Sequence, residues 1–134
     1  MSRDLSERKA LIRYRLENAR RTFNDAQVLF TQGGTPKSIV NRAYYAMFYA
    51  ALALLASIGQ QPGKHSGVVA LFDQHFVKTK IFPKEMSTFL HTALDTRQVG
   101  DYEDEAEITQ NQALEILDTA AQFINSIEEK LSDQ

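Results

Sequence analysis

Thr35-Pro36-Lys37-Ser38-Ile39-Val40-Asn41-Arg42-Ala43-Tyr44-Tyr45-Ala46-Met47-Phe48-Tyr49-Ala50-Ala51-Leu52-Ala53-Leu54-Leu55-Ala56 is the stretch that decides how this chain folds. Threonine followed by proline is the pairing of an N-cap with a first helical residue. The preceding Gly33-Gly34 supplies the left-handed conformation that ends a helix. The helix so opened is expected over Pro36 to Ile58, stopped by Gly59. It is apolar nearly all round, so it belongs at the centre of a bundle or at a subunit interface. Its long apolar run, Ala43 to Ala56, falls short of the roughly 20 residues a spanning helix needs. Tyr44, Tyr45 and Tyr49 interrupt that run, and Arg42 and Ser57 bracket it. The expectation is a buried helix with no membrane role.

Working outward, a first helix is expected from about Ser6 to Gln32. Ile12, Leu16, Ala19, Phe23, Ala26 and Phe30 recur at helical spacing and leave the arginines on the opposite face. Beyond Pro62-Gly63 a third helix is expected from about Ser66 to Lys78, with Val69, Phe72 and Phe76 facing in. Pro83 opens a fourth, carrying Met86, Phe89, Leu90, Ala93 and Leu94 and fading near Gln98. Val99 to Ile108 reads as an acidic loop. Thr109-Gln110-Asn111-Gln112 has capping-box spacing, and Ala113, Ile116, Leu117, Ala120, Ile124, Ile127 and Leu131 stripe a last helix. No strand-period run with hairpin chemistry is present. The fold class is therefore all-α, an antiparallel up-and-down bundle of about five helices. Helices one, two and five are expected to pack together, with three and four as a shorter pair to one side.

At 134 residues the chain reads as one domain over 1–134, and 43% hydrophobic residues suffice for its core. The absence of cysteine removes disulfide frameworks and thiolate chemistry. Met1 to Arg15 is polar, without the apolar segment of a secretion signal, so a cytoplasmic location is expected. Charge is uneven. Residues 1–22 hold seven basic side chains against three acids, whereas residues 101–134 hold ten acids against Lys130 alone. That pattern fits either an anionic ligand or two ends that attract each other.

Phosphate loops, dinucleotide fingerprints and two-histidine zinc helices are absent, and no cofactor or metal site is expected. His65, His75 and His91 lie on different elements, and the acids from Asp101 to Glu107 precede a helix N-terminus, which favours negative charge. The chemistry gathers on the central helix. At about 100° per residue, Asn41, Arg42, Tyr45, Phe48, Tyr49 and Leu52 share one face. A guanidinium there must be paired or it is costly to bury. Arg42 therefore either finds an internal acid, such as Asp95 or Asp101, or faces a cleft where an anion binds.

Ser38 to Leu55, then Lys64-His65-Ser66-Gly67-Val68-Val69-Ala70-Leu71-Phe72, then His75-Phe76-Val77-Lys78-Thr79, together with Arg97-Gln98 and Asp101-Tyr102, carry a resemblance. In this order they resemble the HEPN domain (higher eukaryotes and prokaryotes nucleotide-binding), in particular its small stand-alone prokaryotic members. The likeness runs from about Leu11 to Leu131. It implies a helical bundle, usually a homodimer, and work on RNA. Many members are metal-independent ribonucleases, often toxins paired with a nucleotidyltransferase antitoxin, or parts of defence systems. Their signature is an arginine followed after four to six residues by a histidine. Such chemistry needs a group to move the ribose 2′-OH proton and a cation to hold charge on the phosphate.

Arg42 matches the family's arginine, and Tyr49 stands where relatives often carry histidine. A phenol, ordinarily near pKa 10 against about 6.5 for imidazole, is the poorer base at neutral pH. His65 matches the family's His-Ser-Gly element and is the replacement candidate. The resemblance thus implies Arg42, Tyr49 and His65 as catalytic residues. Asn41, Tyr45, Lys64, Arg97, Asp101 and Tyr102 would bind ligand or orient Arg42, and Lys78, Lys80 and Lys84 would add attraction for RNA. Two readings are carried forward: an RNA-cleaving or RNA-binding component of a toxin–antitoxin or defence system with an altered motif, and a catalytically silent module for a nucleotide or a nucleotidyltransferase partner.

Overall fold

Thr35 and Pro36 open the second helix as expected: the Thr35 hydroxyl accepts from the Ser38 amide at 3.2 Å. Gly33 ahead of them sits at φ +78°, a conformation that costs a side-chain-bearing residue dearly. In this computed structural model the backbone is described for residues 2–102 and 107–132, and the side chains for 5–100 and 107–132. The helices are α1 (Ser2–Thr31), α2 (Pro36–Ala56), α3 (His65–Phe72), α4 (Lys84–Tyr102) and α5 (Gln110–Ser132). No strand occurs among the described residues.

α2 is the axis of the bundle. Ile39, Val40, Ala43, Tyr44, Ala46, Met47, Ala50, Ala51, Leu54 and Leu55 are all buried, and α1, α4 and α5 each pack on it. Its alanines let these neighbours come close, and Ala19 and Ala26 of α1 and Ala113 and Ala120 of α5 answer with equally small side chains. α2 has the length and hydropathy of a helix that could cross a membrane, but 67% of its apolar window is covered by protein. Arg15 of α1 donates to the Leu52 carbonyl of α2 at 3.1 Å. Arg20 of α1 makes a two-toothed pair with Glu128 and also bonds Asn125, both on α5. Arg97 of α4 lies against Tyr44 and Tyr45 of α2. These contacts set α1, α2, α4 and α5 up, down, up and down, an all-helical bundle of the expected class. The basic first helix and acidic last helix do attract each other, through Arg20.

Three features differ from expectation. α3 ends at Phe72, and Asp73–Val77 continues it as a π-helical turn in which the Lys78 amide donates to the Asp73 carbonyl at 2.8 Å. The wider turn holds Phe72, Phe76 and Phe82 together, their rings 6.1–6.2 Å apart, with Phe72 also on Phe123 of α5. α4 runs on to Tyr102 instead of fading near Gln98, so Val99 to Tyr102 are helix and not loop, and residues 103–106 of the expected loop lie outside the described residues. Gly100 marks packing there, not a stop: a Cβ on it would stand 2.6 Å from Ile108 Cδ1. α4 also packs on α2 and α5, while α3 touches it only lightly, so the two do not form a separate pair.

The capping box at α5 is present in full. Gln112 N–H donates to Thr109 Oγ1 at 3.1 Å, and Thr109 N–H donates to Gln112 Oε1 at 2.8 Å. Thr109→Ala is expected to cost about 1 kcal/mol of stability in urea unfolding. Ala50→Leu, overpacking the centre of α2, is expected to cost about 1–3 kcal/mol in the same measurement.

Candidate functional site

Near the N-terminal end of α2 the ring of Tyr45 collects the chemistry. The Arg42 guanidinium carbon lies 5.4 Å from its centroid and that of Arg97, from α4, lies 5.2 Å away. Both are within the roughly 6 Å over which a cation feels an aromatic ring. The rings of Tyr49, Phe48 and His65 stand 6.1, 6.1 and 5.6 Å from the same ring. Turns of one helix bring Arg42, Tyr45, Phe48 and Tyr49 together, as the spacing requires. Tertiary packing adds His65 from α3 and Arg97 from α4.

Arg42 is half-buried. Its Nε and one terminal nitrogen donate to Asn41 Oδ1 at 3.2 and 2.9 Å. Among the described residues no carboxylate pairs with it, so Asp95 is not its partner. Arg42 and Asn41 instead border an open depression of about 360 Å³ with Leu29, Lys37 and Ser38. Among the described residues the depression holds two cations and no acid, an arrangement suited to an anion.

His65 opens α3 and is fastened by Tyr44, whose hydroxyl lies 2.6 Å from His65 Nδ1. The imidazole also stacks on Phe48, with centroids 4.2 Å apart and planes at 16°. Tyr44 is fully buried, and burial pushes its phenol up to about 12, with Arg97 opposing and Tyr45 adding to the rise. Its hydroxyl therefore keeps its proton and donates it, since accepting instead would strand a buried O–H. Neutral His65 then carries its own proton on Nε2. Burial, and after it the positive charge of Arg97, hold the imidazole pKa below its ordinary value. In this arrangement His65 is a hydrogen-bond donor. A role as a base would require the Tyr44 bond to break.

Asn41, Arg42, Tyr45, Tyr49, His65 and Arg97 are thus brought into one neighbourhood. Lys64 precedes His65 and is exposed. The side chains of Asp101 and Tyr102 lie outside the described residues. Lys78, Lys80 and Lys84 sit where α3 gives way to α4, away from Tyr45. His91 bonds Asp73 at 2.7 Å at the surface, and His75 lies in the π-helical turn. The bond of Tyr44 to His65 was not legible in the sequence because Tyr44 lies off the Arg42 face and 21 residues from His65. No local pattern signals a pair of that separation.

The profile of the HEPN domain matches residues 12–130. The chain belongs to the HEPN domain family. A UPF0332 protein of Thermotoga maritima is 35% identical over 129 residues, covering 96% of this chain and 97% of its own. A "Putative toxin" of Methanocaldococcus jannaschii is 36% identical over 92 residues, covering 69% of this chain and 63% of its own. In structure, TT1696 from Thermus thermophilus superposes with a TM-score of 0.74 at 22% identity, covering 89% of this chain and 97% of that one, a likeness of fold. This is an HEPN domain protein related to proteins named as toxins, and the Arg42 face of α2 and the His65 element both fall inside the matched region.

Arg97→Met removes a positive charge beside His65, so the imidazole pKa should rise toward its ordinary value in an NMR titration. The sign for stability follows. A histidine held below its unfolded pKa favours the fold above about pH 6.5 and loses that contribution as pH falls through its folded pKa. The acid-side decline in stability should therefore be shallower in Arg97→Met than in the parent. An unchanged His65 titration would show that the two groups do not interact.

Proposed function

We propose that this HEPN domain protein binds RNA through a phosphate seated beside Tyr45, as a component of a toxin–antitoxin or defence system. The observation that carries the reading is the convergence of Arg42 and Arg97 on one tyrosine ring, with no described acid paired to Arg42. A guanidinium offers paired N–H donors to phosphate oxygens. The exposed edge of an aromatic cluster suits an unstacked base. His65, donating through Nε2, adds a neutral hydrogen bond to the same phosphate. Asn41 holds the Arg42 fork in place, and Lys64 lies close enough in sequence to His65 to attract the backbone.

Cleavage would add a step: loss of the 2′-OH proton, attack of that oxygen on phosphorus, and departure of the 5′-oxygen with a proton, leaving a 2′,3′-cyclic phosphate. It asks for a base. Tyr49 occupies the place the family gives to histidine, and His65 Nδ1 is taken by Tyr44. Binding is therefore the better supported activity of one copy of the chain. In this reading two copies pair as a homodimer so that their sites face one groove, and a nucleotidyltransferase is the antitoxin partner.

A fluorescent single-stranded RNA in EDTA is expected to bind with an affinity that falls steeply as salt rises. Arg42→Ala is expected to weaken it about tenfold, the usual loss for a charged phosphate contact. End analysis of the same mixture reports any cyclic-phosphate product. Equal RNA affinity in the parent and in Arg42→Ala, with both folded, would overturn the reading.

A further inference from the structure

Between the π-helical end of α3 and the start of α4 the chain makes a second surface that the RNA reading does not use. It is a groove of about 670 Å³ whose floor includes Ile81, Phe82 and Pro83 and whose rim carries Lys78, Lys80 and Lys84, with no acid among the described residues that line it. Ile81 is 44% exposed although it is flanked by a buried phenylalanine. At about 1.5 Å per residue, Lys84 stands roughly 20 Å along α4 from Arg97, so the groove is separate from the Tyr45 site.

Two of the three lysines stand where local stability opposes them. Lys80 has φ +64°, the one described non-glycine residue with positive φ, at the turn that follows the π-helix. Glycine is the residue such a turn favours, and a side chain there is strained. Lys84 is the first residue of α4, at the positive end of the helix dipole, where an acid is favoured and a cation is not. Lys78 alone has a local reason, since it caps the π-helix at its negative end. Glu85 in the first turn of α4 offsets part of the charge, and Glu129 and Lys130 of α5 line a separate depression that shares Phe82 with this one. Neither acid lines the groove.

We infer that this groove is a docking site for an acidic peptide segment of a partner protein, one that seats an aliphatic side chain on Ile81 and Pro83 while its carboxylates meet Lys78, Lys80 and Lys84. An apolar centre inside a charged rim is the arrangement of a protein-binding patch. The single-signed rim selects an anionic partner. The floor selects a peptide over single-stranded nucleic acid: Phe82 is only 8% exposed, so no aromatic face is open for a base to stack on.

The test is fluorescence anisotropy with a labelled synthetic peptide of glutamates flanking two leucines, beside a labelled RNA oligonucleotide and vesicles containing phosphatidylserine. The peptide should bind the parent saturably, and an all-glutamate peptide more weakly. Lys80→Gly should weaken peptide binding about threefold, the share of one exposed ion pair, while its thermal midpoint is unchanged or raised because strain at φ +64° is relieved. Ile81→Ser should weaken it as well. Peptide affinity unaffected by both substitutions would overturn the proposal. So would a groove-dependent gain for the RNA or the vesicles with none for the peptide.

Discussion

Everything in this fold depends on burying α2 on all but one of its faces. A helix with alanines at 43, 46, 50, 51 and 53 offers little side-chain volume of its own, so its stability comes from neighbours that approach closely. α1, α4 and α5 do so, and aromatic contacts bring α3 in as well, Phe123 of α5 against Phe72 of α3 and Tyr44 of α2 itself against His65 of α3. The charged contacts, Arg20 with Glu128 above all, lie at the rim, where water screens them and they align helices more than they stabilise them.

The functional neighbourhood lies toward the N-terminal end of that helix, where burial gives way. There the cost of partial desolvation is met by aromatic faces and by an asparagine in place of a carboxylate, so Arg42 keeps its charge available. The Tyr44 hydroxyl is buried where no water reaches it, and donating to His65 is what makes that burial tolerable. One hydrogen bond thereby satisfies the core and sets the tautomer of a half-exposed imidazole. Structure and chemistry share this bond, which is why His65 cannot be considered apart from the packing of α2.

Much of this was legible in the linear pattern. Thr35-Pro36, Thr109 through Gln112 and the apolar stripes of the first and last helices each encode local geometry, and the structure reproduces them. The helical face joining Asn41, Arg42, Tyr45 and Tyr49 was legible for the same reason. The extension of α4 through Gly100 was not, because glycine there answers to the side chain of Ile108 and not to its own backbone. The π-helical turn after Phe72 was equally hidden, since it serves three phenylalanines brought together from two sides of a loop.

By itself the sequence determined an all-helical bundle built around one apolar helix, and the arginine and tyrosines on one face of it, because helix periodicity and capping are matters of a few neighbouring residues. Only the tertiary structure decided the rest: that Arg97 shares the Tyr45 ring with Arg42, that no described acid neutralises Arg42, and that Tyr44 holds His65 through Nδ1. Those relations join residues separated by whole helices. They are settled by which surfaces must be hidden from water together, a property of the packed chain that no local stretch contains.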